Sequence, residues 1–229
     1  MISKSKLKFL LKAFISPHSK HSFLKKLKKS SEILDVGCGN IQTAKACKSL
    51  VKNSYYCGID IQMQIKKSLS DKYIDKYIIS DIDKFDDSIS SIPKNFDAII
   101  CTHVIEHCED RIQKLENFLK KLKPGGQIYL SFPCEESVNF PSRAGTLNYF
   151  DDPTHLLSPP KFNLIVNTLI MNNIQIKYQQ KRYRPLFLFV FGQLADFICK
   201  IRGRGSIGVW EKWGFESIII AENQKINKV

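Results

Sequence analysis

The stretch "ILDVGCGN", Ile33–Asn40, is a short apolar run carrying one acid, followed by two glycines one residue apart. Such a run breaking into G-x-G reads as a buried strand that delivers the chain into a tight turn. Glycine there tolerates a positive φ and lets backbone pass close under a ligand. The residues around the turn narrow the ligand. A dinucleotide site wants a third glycine where Gln42 stands, and no Lys follows in the manner of a P-loop. Asp35, near the end of the strand, repels a pyrophosphate and suits an amino group or a positive centre. The stretch points to an uncharged or cationic nucleoside.

On either side of the opening strand, short β-type runs alternate with helical patterns from Glu32 to Pro133. Strands are expected at "YYCGID" (55–60), "KYIIS" (76–80), "FDAIICT" (96–102) and "GQIYLSFP" (126–133), with helices over 41–51, 62–69, 84–90 and 109–122. In the last helix Ile112, Leu115, Phe118, Leu119 and Leu122 recur at three and four residues, and "KPGG" ends it. This alternation means βαβ crossovers, hence an α/β fold with a parallel sheet covered by helices on both faces. Beyond Pro133 a polar loop with "DDPTH" leads to a helix at 160–172. Two β-type runs follow at 174–183 and 214–223, expected to pair antiparallel at the sheet edge, with 184–212 inserted between them. Two segments are expected: a basic helical stretch over 1–31 and the main domain over 32–229.

Open parallel sheets bind ligands beyond the carboxyl ends of their strands. The residues there are Asp35, Gly37, Cys38, Gly39, Asp60, Asp81 and Thr102-His103. Asp60, 23 residues after Gly37, is placed to accept hydrogen bonds from both hydroxyls of a ribose. Five ordered blocks, "ILDVGCGN", "GIDI", "SDID", "FDAIICTHVIEHCED" and "LKPGGQIYLSFP", together resemble the class I S-adenosylmethionine-dependent methyltransferases over roughly the first two-thirds of the chain. The resemblance implies a Rossmann-like, doubly wound, mostly parallel seven-stranded sheet with an antiparallel last strand, N-terminal helices and a helical insertion before that strand. It also implies S-adenosylmethionine as cofactor. Asp35, Gly37, Cys38 and Gly39 would line its methionine part, Asp60 would hold its ribose, Asp81 and Ile82 would frame its adenine, and Ile61 and His103 would complete the cofactor site. Ile41 departs from the family, which often has a third glycine there.

A sulfonium makes its methyl group electrophilic, so the protein chiefly aligns the acceptor and removes its proton. His107 in "THVIEHCED" and His155 in "DDPTH" are the candidate bases, since a neutral imidazole suits proton removal from a hydroxyl. Hydrogen bonding within the loop is the alternative role for both. Quinone-pathway O-methyltransferases and small-RNA 2′-O-methyltransferases resemble this region through E-x-x-E-H, but the first Glu is His103 here. No metal is expected; if one were held, the set would be His103, Glu106, His107 and His155. The expected activity is methyl transfer to a hydroxyl of a small-molecule or glycan acceptor, with lipid- and phosphate-linked acceptors open. RNA 2′-O-methylation and a non-catalytic nucleoside-binding subunit are the alternatives.

The net charge of +13 is uneven: residues 1–31 hold nine Lys and no acid, and 177–212 hold eight Lys or Arg against two acids. The body is near neutral, so the basic flanks suggest contact with something anionic, an anionic membrane surface ahead of nucleic acid. Leu7, Leu10, Leu11 and Phe14 share a helical face expected to dock on the protein's own core; Phe23, Leu24 and Leu27 begin a second one. "PLFLFVFGQLADFICKIRGRG" (185–205) reads as a helix with one polar stripe, Gln193, Asp196 and Lys200. A lid, a dimer surface and a shallow membrane contact with Lys200, Arg202 and Arg204 on lipid phosphates are open for it, and a lid that also touches membrane or a lipid-linked acceptor is the favoured expectation. The seven cysteines form no CxxC pair and read as reduced, mostly buried thiols. With no secretory signal pattern, the expected location is cytoplasmic, with a membrane-peripheral variant.

Overall fold

The computed structural model describes residues 3–62, 72–142, 147–202 and 208–224, the side chains of 199–202 excepted. The strand that precedes the glycine turn is β1 (Glu32–Val36), lying at the sheet centre between β2 (Tyr55–Asp60) and β4 (Phe96–Thr102), parallel to both. It is buried from Ile33 to Val36, and so its sequence is continuously apolar apart from Asp35. β3 (Lys76–Ile79) extends the parallel set beyond β2, and β5 (Leu122–Pro133) beyond β4. β7 (Glu216–Asn223) runs antiparallel between β5 and β6 (Ile174–Gln180), giving seven strands in the order β3-β2-β1-β4-β5-β7-β6. This is the doubly wound, mostly parallel architecture expected.

Alternation along the strands sorts the core into two layers. Leu34 and Val36 of β1 pack with α4 (Phe85–Ser90), α5 (Arg111–Leu119) and α6 (Phe162–Met171), through Phe85, Leu115, Phe118 and Leu169. Ile33 faces the opposite layer, made by α1 (Lys4–Ile15), α2 (Lys20–Lys26) and α3 (Gln42–Leu50), through Phe9, Phe23, Leu24 and Cys47. The insertion between β6 and β7 holds α7 (Leu186–Arg202) and α8 (Val209–Trp213). The six cysteines whose side chains are described and free are all buried. Among the described residues no helix is long and apolar enough to cross a membrane.

Two expectations are corrected. The helix expected over 109–122 stops at Leu119, and Leu122 opens β5 instead, paired with Phe96. "KPGG" is not a helix terminator but lies within β5, where the register jumps from Leu122 opposite Phe96 to Gln127 opposite Ala98. Gly125, at φ +74°, supplies the left-handed residue of that bulge. One buried Leu satisfied both periodicities, and pairing with Phe96 decided between them.

The second correction concerns α1. It docks through Phe9 and Ala13, while Leu7, Leu11 and Phe14 point to solvent. The second amphipathic face behaves as expected, with Phe23 and Leu24 buried. The helix expected over 62–69 lies almost wholly outside the described residues, as do the side chains of Lys200, Arg202 and Arg204.

Candidate active site

β1 ends by turning at Gly37 and Gly39, both in the left-handed region at φ +67° and +51°. A Cβ on Gly37 would sit 2.2 Å from Val104 Cγ2, whereas Gly39 faces open space. The first glycine is thus required by packing and the second keeps a cavity wall free. Gly37 and Cys38 donate their N–H groups to the Ile59 carbonyl at 2.9 and 3.1 Å, which ties the turn to the end of β2.

Asp60 closes the same turn. Its Oδ2 accepts from the Gly39 N–H at 2.5 Å and its Oδ1 from the Ile61 N–H at 2.8 Å. Each carboxylate oxygen keeps lone-pair capacity for a further donor. Ser80 N–H reaches the Asp60 carbonyl at 3.0 Å, so Asp81 and Ile82 follow directly at the neighbouring strand end. Asp81 is exposed and lies 3.7 Å from Lys84 Nζ.

Asp35 is fully buried, accepts from the Tyr56 hydroxyl through Oδ2, and has no partner for Oδ1 among the described residues. Burial raises its carboxyl to about pKa 6, against the opposing pull of Lys20 and Tyr56. A buried carboxylate oxygen with no donor costs free energy unless something fills the place. Burial likewise pushes the Cys38 thiol upward, so it lines the turn as a neutral group.

Two clefts meet here. The smaller, about 280 Å³, is lined by Gly37, Cys38, Gly39, Asn40 and, from α2, Lys20 and His21. The larger, about 440 Å³, shares Lys12, Lys20, His21 and Thr102 with it and continues past His103, Tyr129, Glu216 and Trp210. Lys20 Nζ donates to Thr102 Oγ1 at 3.4 Å where the clefts join. Burial, then Lys12 and Lys20, lower the His21 imidazole to about pKa 4, leaving it neutral. Lys20, His21 and Glu216 were missed by sequence reasoning. Their only signal was membership of a basic helix or a terminal strand, and neither reveals which way a side chain points.

His103 holds a positive φ of +54° at the end of β4. Its Nδ1 donates to Glu106 Oε1 at 3.0 Å and its Nε2 to Glu216 Oε1 at 2.7 Å. Burial alone would lower its pKa, but the two carboxylates outweigh that and raise it to about 10. This ring is an imidazolium with both nitrogens engaged. It has no lone pair for a metal, so the candidate metal set loses His103.

The rest of that set comes together. His155 Nδ1–H donates to the Tyr149 carbonyl at 2.6 Å. Thr154 gives its hydroxyl proton to Asp152 Oδ1 at 2.6 Å and so accepts from His107 Nδ1 at 3.1 Å. In the neutral form of either ring, Nδ1 then carries the proton and Nε2 the lone pair. The buried Glu106 Oε2 has no partner among the described residues. One ligand atom from each of Glu106, His107 and His155 lies within 4.8 Å of the others, an arrangement able to hold a divalent cation or to accept a proton.

A protein-family model described as a methyltransferase domain matches residues 11–166. The chain belongs to this methyltransferase family. An uncharacterised protein of Methanocaldococcus jannaschii is 31% identical over 111 residues, 46% of this chain and 29% of that protein. The ubiquinone biosynthesis O-methyltransferase of Xanthomonas campestris is 27% identical over 103 residues, 44% of this chain and 42% of that enzyme. Phosphoethanolamine N-methyltransferase 1 of Triticum aestivum is 28% identical over 109 residues, 47% of this chain and 22% of that enzyme. The matched part spans less than half the length of these curated relatives.

Solved structures agree on the fold. An S-adenosylmethionine-dependent methyltransferase from Mesorhizobium loti superposes with a TM-score of 0.60 at 15% identity, covering 85% of this chain and 91% of that one. The plantazolicin methyltransferase BpumL, solved with S-adenosylhomocysteine, superposes with a TM-score of 0.58 at 17% identity, covering 97% and 86%. The S-adenosylmethionine that this family implies suits the cradle at the end of β1. The orphan Asp35 Oδ1 is an acceptor waiting for a cationic donor. A side chain at Gly39, by contrast, would enter the cleft that the turn lines.

Proposed function

We propose that the chain transfers the methyl group of S-adenosylmethionine to a hydroxyl of a small-molecule or glycan acceptor. In this reading Asp35 accepts from the cofactor's amino group, Lys20 offers a cation to its carboxylate, and Asp60 accepts from the ribose hydroxyls. The sulfonium supplies the electrophilic methyl, and the chain's own task is alignment and proton removal.

The observation that carries the choice of a hydroxyl is the pair of fixed imidazoles. A hydroxyl holds its proton near neutral pH and needs a base, and His107 and His155, whose Nδ1 atoms are both engaged within the loop, have Nε2 as the basic nitrogen beside Glu106. His103, which lines the larger cleft together with His21, is an imidazolium and serves to hold Glu106 in place. The O-methyltransferase of Xanthomonas campestris supports the same choice by its name.

Labelled S-adenosylmethionine with cell extract identifies the acceptor. His107→Ala and His155→Ala are then compared with the parent protein. At least one lowers kcat by roughly 10²–10⁴-fold while the affinity for S-adenosylhomocysteine is unchanged. Full activity in both variants sinks the proposal.

A divalent cation on the same three residues is a second reading, favoured by the unpartnered Glu106 Oε2. A cobalt absorption band that vanishes in His155→Ala supports it, and chelator-insensitive transfer opposes it.

A further inference from the structure

α7 is built inside out. The side turned to the protein carries Gly192, Ala195 and Asp196, which are buried. Gly192 lets the helix lie against the backbone of Gly208, where a Cβ would come 2.2 Å from the carbonyl oxygen. Asp196 is held by Lys212 Nζ at 2.5 Å and by the Trp213 indole at 3.4 Å. The side turned away carries Leu186, Phe187, Val190, Leu194 and Phe197, with Phe187 71% and Phe197 63% exposed. A helix in water places these faces the other way round. A contiguous outward face of this kind marks a contact with an apolar medium or partner.

α1 repeats the pattern across the larger cleft. Leu7, Leu11 and Phe14, the last 80% exposed, lie opposite the docked Phe9 and Ala13 at 3.6 residues per turn. Lys4, Lys8 and Lys12 form the stripe beside them, and α1 contains no acid. Ile15 and Ser16 from this side and Leu188 from α7 line the same cleft, so the two apolar faces flank one opening. Arg184, exposed, precedes α7, whose one acid is the inward Asp196.

We propose that the outward faces of α7 and α1 insert into an anionic lipid bilayer, lying in its surface plane with the basic side chains on lipid phosphates. The charge decides for lipid over a second copy. The chain carries +13, and a two-fold contact would set the lysines of one α1 against an equally basic partner. No helix among the described residues is long and apolar enough to span, so α7, apolar on its outward face, suits the interface. The inference goes beyond the methyl-transfer reading and does not depend on the acceptor. It brings the mouth of the larger cleft to the bilayer.

The full chain is sedimented with vesicles of phosphatidylcholine, with and without phosphatidylglycerol. It is expected to co-sediment with the anionic vesicles and much less with the neutral ones, and to be released by salt. Phe187→Ser/Phe197→Ser lowers partitioning by at least about tenfold, and Lys4→Glu/Lys8→Glu lowers it on anionic vesicles. Calorimetry with S-adenosylhomocysteine on every variant shows that it is folded. Cofactor-binding protein that ignores anionic vesicles overturns the proposal, and so does a dimer dispersed by the Phe substitutions without vesicle binding. Vesicle binding by a chain that takes no cofactor would instead sink the methyl-transfer reading alone.

Discussion

His103 at the end of β4 and Glu216 at the start of β7 are joined on either side of β5 by a 2.7 Å hydrogen bond. With Glu106 on the other ring nitrogen, the bond makes a carboxylate–imidazolium–carboxylate chain in the wall of the larger cleft. The chain links the parallel half of the sheet to its antiparallel edge.

This chain sets a pH dependence. The folded pKa of His103, about 10, lies above the unfolded value of about 6.5. Its stabilisation is therefore complete below the unfolded value and is lost as pH rises through about 10. Thermal melting is expected to fall from about pH 7 to about pH 10, and His103→Asn removes that slope while costing about 3–5 kcal/mol. An unchanged slope in the variant refutes the charged assignment.

In the proposed reading, Asp35 sets cofactor affinity. Because burial holds its carboxyl near pKa 6, the ionised form that an ammonium group needs is depleted below that pH. Binding of S-adenosylhomocysteine, followed by calorimetry, should weaken as pH falls through about 6. Asp35→Asn should weaken it by about ten- to a hundredfold at neutral pH, the worth of one charge-assisted hydrogen bond.

The two glycines separate packing from binding. Gly37→Ala meets Val104 and is expected to destabilise the fold by about 1–3 kcal/mol, partly restored by Val104→Ala. Gly39→Ala meets nothing, costs about 1–2 kcal/mol for its backbone alone, and loses cofactor affinity out of proportion to stability. Denaturant melts set beside calorimetry distinguish the two.

The buried pair beneath α7 holds the insertion down. Lys212→Met removes the Lys212 ammonium from the Asp196 carboxylate, 1% exposed, and should cost about 3–5 kcal/mol. Limited proteolysis should then cut within 184–212 first. Cleavage as slow as in the parent protein argues that the pair is dispensable.

Much of this architecture is legible in the sequence. The strands at 55–60 and 96–102 lie where the sequence places them, because buried parallel strands are continuous apolar runs that end in turn residues. Leu122 misled because one apolar side chain fits a helical and a strand period equally, and only its pairing with Phe96 chose. That His103 drops out of the conditional metal set was not legible, because Glu216, 113 residues away, occupies its second nitrogen.

The sequence by itself determined the α/β class and the strand-end residues Asp35, Gly37, Gly39 and Asp60. Those follow from local periodicity and from the φ and charge that particular residue types allow. Only the tertiary structure decided that Glu106, His107 and His155 converge without His103, and that Lys20 and His21 line the clefts. It also decided which faces of α1 and α7 remain outward. A helix with apolar residues on two sides does not say which side docks. That choice belongs to the partner surface, which here accepts Phe9 and Ala13 on α1, and Gly192, Ala195 and Asp196 on α7.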